Sequence, residues 1–226
     1  NLSWNGGRYI DHPPAGFWLI AISQNFFGIN EFGTRFAPAL CGLLSMVVVY
    51  FFGRSLFGRV AGISSALALP SSFWFLFRAR SGNLDIILTF AFLLSLYLGV
   101  KAAKEKKFLL PWSVSLTFLF LTKTLVPLTI IPALVVIFWK SRLQWRDCIL
   151  PVVIIFGIVG GWFVFQTFQD RDFLIHFLGI GLPGVSTQAN YLENFKLIKE
   201  YLHSGVGKWF WPGVVAVSAG FFLGQK

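Results

Sequence analysis

Charged side chains are scarce in this sequence, and their scarcity excludes a soluble globular domain. Asp, Glu, Lys and Arg together make up 12% of the 226 residues, whereas a soluble domain has about 25%. Only nine residues are acidic, so the 19 basic residues leave a formal net charge of +10. Apolar residues fill the remainder, with 56% hydrophobic residues and a mean hydropathy of +0.70. This composition predicts an integral membrane protein.

Cysteine is also nearly absent. Cys41 and Cys148 are the two cysteines of the chain, and both fall in or beside apolar runs. Two distant cysteines predict neither a disulfide framework nor a thiolate metal site. The basic residues form no helical face and no aromatic stacking platform accompanies them, so the net charge gives no support to nucleic-acid binding.

Seven apolar runs carry most of the sequence. Their continuity favours membrane-spanning helices, because a barrel strand would alternate apolar and polar residues. We therefore predict an all-α, polytopic fold with about seven transmembrane helices, in a single transmembrane domain over residues 1–226. The runs are Phe36–Phe52, Val60–Phe77, Leu84–Val100, Phe108–Thr122, Leu125–Trp139, Cys148–Phe165 and Trp209–Leu223.

The basic residues predict the orientation of these helices. Nine of them crowd into three short loops, whereas eight others are spread over much longer segments. Since short loops rich in Lys and Arg stay in the cytoplasm, the long polar segments are predicted to face outward. They are residues 1–35, with an interfacial helix over Phe17–Phe27, and residues 166–208. The crowded set is Arg54, Arg59, Lys101, Lys104, Lys106, Lys107, Lys140, Arg142 and Arg146.

Lys123 lies between two unusually short runs. Phe108–Thr122 and Leu125–Trp139 have 15 residues each, or roughly 22 Å of helix, which is short for a bilayer core. The tip that carries Lys123 is therefore expected near or below the outer surface. A lysine at that depth either extends to the headgroups or is retained for a partner.

Two acidic residues stand at predicted outer ends of apolar runs. Asp11 precedes His12 and a proline pair, which stiffens the backbone at that point. Asp85 opens the run Leu84–Val100, shortly after Arg78 and Arg80. Asp85 could simply offset the helix dipole and pair with one of these arginines. As a group, however, the carboxylates can take a proton or bind a metal, and the arginines can hold a phosphate.

Several short motifs follow one another along the chain. They are Asn5-Gly6-Gly7-Arg8-Tyr9 with Asp11-His12-Pro13-Pro14 and Gly16-Phe17-Trp18, then Phe27-Gly28, Glu31-Phe32, Arg35 and Gly53–Arg59, and finally Leu121-Thr122-Lys123. In this order they resemble the GT-C class of membrane glycosyltransferases. They resemble most the branch with protein O-mannosyltransferases and the bacterial transferases that add aminoarabinose to lipid A. After Leu121-Thr122-Lys123 this chain has Thr124, where the family usually has glycine.

The resemblance implies that a sugar moves from a polyprenyl-phosphate carrier to a protein, lipid or glycan acceptor at the non-cytoplasmic face. It implies catalytic roles for Asp11 and Asp85, and these two carboxylates are also candidate ligands of a divalent metal ion. No other cofactor is implied. Relatives with the His-Pro-Pro form are chiefly prokaryotic, which favours a plasma membrane. The candidate residues for binding the substrate phosphate are His12, Lys123, Arg78, Arg80, Arg8 and Arg35.

The resemblance also implies that the principal catalytic acid precedes residue 1, with Asp11 in an assisting role. Residues 1–226 alone are therefore expected to show no sugar transfer. A transporter or flippase for a lipid-linked intermediate is the alternative function, and a subunit without catalysis is a third. A transporter typically has ionisable residues near mid-membrane and an internal repeat. Apart from Lys123 the apolar runs lack such residues, and no repeat is visible, so the sequence favours the enzyme.

Overall fold

A computed structural model describes residues 3–4, 7–9, 11–139, 141 and 143–181, and this part of the chain is almost wholly helical. Two short strands, β1 (Ser3–Trp4) and β2 (Gly7–Arg8), pair antiparallel before the first helix. The predicted all-α class is confirmed. The helices are α1 (Ala15–Phe27), α2 (Glu31–Phe57), α3 (Arg59–Ala68), α4 (Phe73–Arg80), α5 (Leu84–Lys104), α6 (Leu109–Phe120), α7 (Ile131–Trp139), α8 (Ile149–Ile155), α9 (Gly161–Gln169) and α10 (Phe173–Gly181).

Short 3-10 and π segments link several of these helices. The 3-10 segments are Leu69–Ser71, Lys106–Phe108, Val126–Ile130 and Trp145–Cys148, and the π segment is Phe156–Gly160. Because 3-10 and π turns change the direction or register of a helix, they divide apolar runs that look continuous in the sequence.

Within the described residues, three helical stretches are long and apolar enough to cross a membrane individually. They are Glu31–Phe57, Leu84–Lys104 and Trp145–Gln169, and a bent pair of helices would make a fourth. These stretches confirm three of the predicted helices. The count of seven stays a prediction. The last predicted run, Trp209–Leu223, and residues 182–208 of the second outer segment lie outside the described residues.

The predicted apolar run Val60–Phe77 is broken in the structure into two helices that meet at a sharp bend. The chain bends by 70° between Arg59–Ser71 and Phe73–Arg80. Pro70 lies in the 3-10 turn at the break, and Ser72 is extended with ψ 122°. Proline lacks the amide hydrogen of a helical bond, so the α-helix gives way to a 3-10 turn at Pro70. The sequence Leu-Pro-Ser-Ser at this point indicates a break in the helix, which hydropathy alone does not detect.

The two short apolar runs on either side of Lys123 form helices that are shorter still in the structure. α6 has 12 residues, and the run Leu125–Trp139 begins with a 3-10 segment before the nine residues of α7. Pro127 and Pro132 stand at the starts of these two elements, where a proline needs no helical partner. Neither α6 nor α7 is therefore long enough to cross the membrane fully, and the chain turns between them.

Two apolar clusters hold the helices together. One centres on Ile86 and Ile87 of α5, packed against Cys41 of α2 and Ala79 of α4. The other centres on buried side chains of α5 and α6, with Leu119 wholly buried. Many apolar residues on the outer helix faces are exposed, for example Leu43 at 59%. Exposed apolar side chains suit contact with lipid, as expected for an integral membrane protein.

Small residues allow the helices to approach closely. A Cβ built on Gly42 of α2 would lie 3.0 Å from the Cβ of Ala79, and one on Gly62 of α3 would lie 2.6 Å from the carbonyl oxygen of Tyr50. Buried hydroxyls nearby donate to carbonyls one turn earlier, as Ser45 does to Cys41 at 2.7 Å. Close backbone approach and internally satisfied hydroxyls are the usual features of packing between membrane helices.

Candidate functional site

Asp85 lies at the centre of the candidate site and contacts two cations. The Nη1 atom of Arg78 lies 2.9 Å from Oδ2 of Asp85, and Lys123 Nζ donates a hydrogen bond to Oδ1. The three residues come from the last turn of α4, the first turn of α5 and the segment after α6. The exposed side-chain fractions of Lys123 and Asp85 are 26% and 32%, so water screens this pair only partly.

Local sequence explains why the Asp85 carboxylate is fixed at the start of α5. Asn83 is the N-cap residue, and its Oδ1 accepts a hydrogen bond from the backbone N–H of Asp85 at 2.7 Å. The Asn83 Nδ2 group donates to Asp85 Oδ2 at 3.3 Å. An acid in the first turn also interacts favourably with the helix dipole. The cap and the dipole therefore fix Asp85 where Arg78 and Lys123 meet it.

His12 lies beside this cluster and contacts the residue that follows Lys123. Its Nδ1 atom is 2.7 Å from the carbonyl oxygen of Asp11 and 2.9 Å from Oγ1 of Thr124. A carbonyl can only accept a hydrogen bond, so Nδ1 carries the proton and Nε2 is the free acceptor of the neutral ring. Burial lowers the pKa of His12, the hydrogen bond to Asp11 opposes this in part, and the charge of Lys123 lowers it further.

The start of α1 brings the Asp11-His12-Pro13-Pro14 motif to this position. The backbone N–H of Ala15 donates to the carbonyl oxygen of Leu121 at 2.9 Å. A Cβ built on Gly16 would lie 2.6 Å from Cδ2 of Leu84, so glycine is what allows this approach. The proline pair is buried and stiffens the turn. The motif is therefore fixed against the starts of both α5 and the Lys123 segment.

Tyr9 packs at the outer edge of the same motif. Its ring meets those of His12 and Phe17 edge-on, with centroid distances of 6.2 and 5.5 Å. Burial raises the pKa of Tyr9, and the charge of Asp11 adds to that effect. The phenol is therefore neutral at physiological pH and can donate a hydrogen bond.

The arrangement suits an anion better than a divalent metal ion. Both oxygens of Asp85 already contact cations, namely Lys123 and Arg78. Among the residues that the structure describes, no three His, Cys, Asp or Glu side chains are grouped as a metal site would need. Lys123 and Arg78 are donors of the kind that hold a phosphate through charge-assisted hydrogen bonds. The predicted metal role of Asp11 and Asp85 therefore finds no fitting donor set here.

The structure brings some predicted site residues together and leaves others apart. Five of them lie together, and Asp85 pairs with an arginine, Arg78, as predicted. The five are Asp11, His12, Asp85, Arg78 and Lys123. Arg35 instead pairs with Glu31 at 3.4 Å, and Arg80 is exposed at the end of α4. Arg8 lies in β2, and its side chain is outside the described part of the chain.

Sequence reasoning missed two supporting residues, Asn83 and Thr124. Asn83 could have been found, because Asn two positions before an acid at a helix start is a capping pattern. The contact between Thr124 and His12 spans 112 positions, and only the packing of α1 against the Lys123 segment creates it.

Comparisons with known proteins identify the family of this chain. Residues 11–168 match the family model described as dolichyl-phosphate-mannose-protein mannosyltransferase. The undecaprenyl phosphate-alpha-4-amino-4-deoxy-L-arabinose arabinosyl transferase of Pseudomonas paraeruginosa is 34% identical over 182 residues, which are 74% of this chain and 33% of that protein.

Two crystal structures of ArnT from Cupriavidus metallidurans share the fold. The apo structure gives a TM-score of 0.66 at 26% identity, with 78% of this chain and 35% of that one covered. The structure bound to undecaprenyl phosphate gives a TM-score of 0.65 at 25% identity, with 78% and 36% covered. The chain thus spans about a third of the length of the relatives it matches. Because the family model covers more than half of the chain, this chain belongs to the dolichyl-phosphate-mannose-protein mannosyltransferase family, and the resemblance inferred from its motifs is confirmed.

Proposed function

We propose that the protein is a glycosyltransferase that moves a sugar from an undecaprenyl-phosphate carrier to an acceptor at the non-cytoplasmic membrane face. The names of the relatives support the carrier, since the Pseudomonas protein is named for undecaprenyl phosphate and one ArnT structure contains it. The crowded basic loops support the orientation. The acceptor is a hydroxyl or comparable nucleophile of a protein, lipid or glycan.

The contact of Asp85 with both Lys123 and Arg78 carries this proposal. In the reaction an acceptor oxygen forms a bond to the anomeric carbon, and the bond from that carbon to the phosphate oxygen breaks. Negative charge then builds up on the departing polyprenyl phosphate. Lys123 and Arg78 are fixed where they can stabilise that charge, and pre-positioned cations are among the strongest contributions to catalysis.

Asp85 acts in this proposal through the two cations it holds. A carboxylate whose oxygens both contact cations is a poor proton acceptor, because accepting a proton would weaken both contacts. Asp85 is therefore a positioning residue for Lys123 and Arg78. Asp11 assists on the adjacent turn, and His12 offers its free Nε2 atom to a hydrogen-bond donor on the substrate. The proton of the acceptor hydroxyl passes to a carboxylate outside this cluster, as the family resemblance implies.

Asp85→Asn in the full-length protein tests the proposal. With purified protein in vesicles and an undecaprenyl-phosphate-linked sugar donor, we expect sugar transfer to fall by roughly tenfold or more. Asp172→Asn is the matched control, because it removes the same charge from an exposed position. Unchanged transfer by a normally inserted Asp85→Asn protein contradicts the proposal. Movement of the lipid-linked sugar across vesicles without any transfer would favour the flippase instead.

A further inference from the structure

A cavity with two arginines in its wall lies between α2 and the end of α4. Its volume is about 420 Å³, and it is lined by Arg35, Phe73, Leu76, Phe77, Arg80 and Ser81. None of Asp85, Arg78 and Lys123 lines it. The two arginines that the structure leaves out of the Asp85 cluster therefore share a cavity of their own, here called the Arg35–Arg80 cavity.

Close packing of the turn after α4 against α2 forms this cavity. A Cβ built on Gly82 would lie 2.7 Å from Cγ2 of Thr34, so the turn rests directly on the residue before Arg35. Ala79 similarly packs on Gly42 of α2. These contacts fix Arg80 and Ser81 opposite the first turns of α2, and the backbone carrying both arginines is therefore well supported.

Both guanidinium groups have capacity for an anion. Arg80 makes no ion pair or hydrogen bond within the part of the chain that the structure describes, and it is exposed. Arg35 pairs with Glu31 at 3.4 Å, but their side chains are 55% and 83% exposed. An exposed pair of this kind contributes little and exchanges readily. No acidic side chain lines the cavity, so its electrostatic character is cationic.

The rest of the cavity wall is apolar and open. Phe73, Leu76 and Phe77 of α4 are 66%, 47% and 49% exposed. Phe73 and Phe77 stack with their ring centroids 5.9 Å apart. The wall therefore continues from a cationic end into an apolar helix face, which matches a molecule with an anionic head and a hydrocarbon tail.

We propose that the Arg35–Arg80 cavity binds the phosphate headgroup of an anionic glycerophospholipid. The phosphate meets Arg35 and Arg80, and an acyl chain lies along Phe73, Leu76 and Phe77. Guanidinium groups suit this role because they donate paired hydrogen bonds to phosphate oxygens. The proposal does not rest on sugar transfer, since it uses neither Lys123 nor Arg78, the two cations to which the proposed function assigns the carrier phosphate.

Native mass spectrometry of the detergent-purified protein tests this site. The probes are phosphatidylglycerol, phosphatidylcholine and inorganic phosphate. We expect selective retention of phosphatidylglycerol and a loss of roughly tenfold or more in its affinity for the Arg35→Gln/Arg80→Gln variant, since each basic residue near a membrane surface contributes about fivefold. Arg80→Lys, which keeps the charge, should lose less. Arg59→Gln removes an exposed arginine outside the cavity and should retain the lipid fully.

Undecaprenyl phosphate binding is measured on the same variants, so that this proposal and the proposed function can fail separately. We expect the double variant to bind undecaprenyl phosphate as the parent protein does. Equal retention of phosphatidylglycerol by the parent and the double variant overturns the lipid site, as does an equal loss in Arg59→Gln. Displacement of the lipid by inorganic phosphate alone also overturns it, because that result assigns the cavity to a free anion.

Discussion

Lys123 donates a hydrogen bond to Asp85, a residue 38 positions earlier in the chain. The contact explains why a lysine lies between two segments too short to cross the membrane fully. A partly buried ammonium group is costly unless a carboxylate meets it, and Asp85 is held at the start of α5 for that contact. The lysine is therefore retained for a partner, which was one of its two sequence-based interpretations.

The Asp85–Lys123 pair should show strong energetic coupling. Removing either partner leaves a partly buried charge, so Asp85→Asn and Lys123→Gln should each destabilise the protein, by about 1–3 kcal/mol. Once one partner is gone, loss of the other should cost much less. A double-mutant cycle on unfolding free energies in detergent measures this difference. Additive single effects would show that the two groups do not interact.

Thr124 should position His12 through its hydroxyl. Thr124→Ser keeps the hydroxyl, whereas Thr124→Val keeps the shape and removes it. Loss of one such hydrogen bond costs about 1 kcal/mol, so we expect sugar transfer to fall by roughly fivefold in Thr124→Val and to stay near the parent level in Thr124→Ser. The Nδ1 chemical shift of His12 should change in the valine variant only, because one of the two contacts of Nδ1 is lost while the Asp11 carbonyl keeps the proton on this atom. An unchanged Nδ1 shift would contradict this role.

His12 should make stability depend on pH below its ordinary pKa. Burial lowers the folded-state pKa of His12 below 6.5. As pH falls through about 6.5, the unfolded chain takes up a proton that the folded chain resists. Stability is therefore complete above that pH and declines below it, by at most about 1.4 kcal/mol per pH unit. Thermal unfolding of the parent and of His12→Asn measures this, and the variant should lose that part of the pH dependence. A directly titrated His12 pKa at or above 6.5 would refute it.

Gly62 should be intolerant of a larger side chain. A Cβ at this position would lie 2.6 Å from the backbone oxygen of Tyr50 and 3.1 Å from the backbone nitrogen of Arg54, so Gly62→Val should push α3 away from α2. Overpacking of this kind costs about 1–3 kcal/mol. Gly157→Val is the control, because a Cβ there meets nothing within 4 Å. Equal loss of thermal stability in both variants would contradict the packing account.

The sequence predicts helices well where apolar runs are long and poorly where proline interrupts them. Hydropathy identified the helices around Phe36–Phe52, Leu84–Val100 and Cys148–Phe165, because a continuous apolar run in lipid has no alternative to a helix. It missed the 70° bend at Leu69–Ser71, because hydropathy averages over the backbone restrictions that Pro70 imposes. The same averaging concealed the 3-10 segment Val126–Ile130.

The candidate site was predictable in its residue types and only partly in its contacts. Local sequence indicated Asp11, Asp85 and the arginines near Asp85, since each stands at the end of an apolar run. It could not separate Arg78 from Arg80, which differ by two positions on one helix and therefore face different directions. Nor could it pair Lys123 with Asp85, because that contact depends on how α5 and α6 pack.

Binding of undecaprenyl phosphate is the most direct test of the central claim that Lys123 and Arg78 hold the carrier phosphate. The comparison is between the parent protein, Lys123→Gln and Lys107→Gln, since Lys107 is an exposed lysine outside the site. The account predicts that Lys123→Gln weakens binding by roughly tenfold or more, as expected for a lost charge-assisted hydrogen bond, and that Lys107→Gln binds like the parent protein. Equal affinity of all three proteins would contradict it.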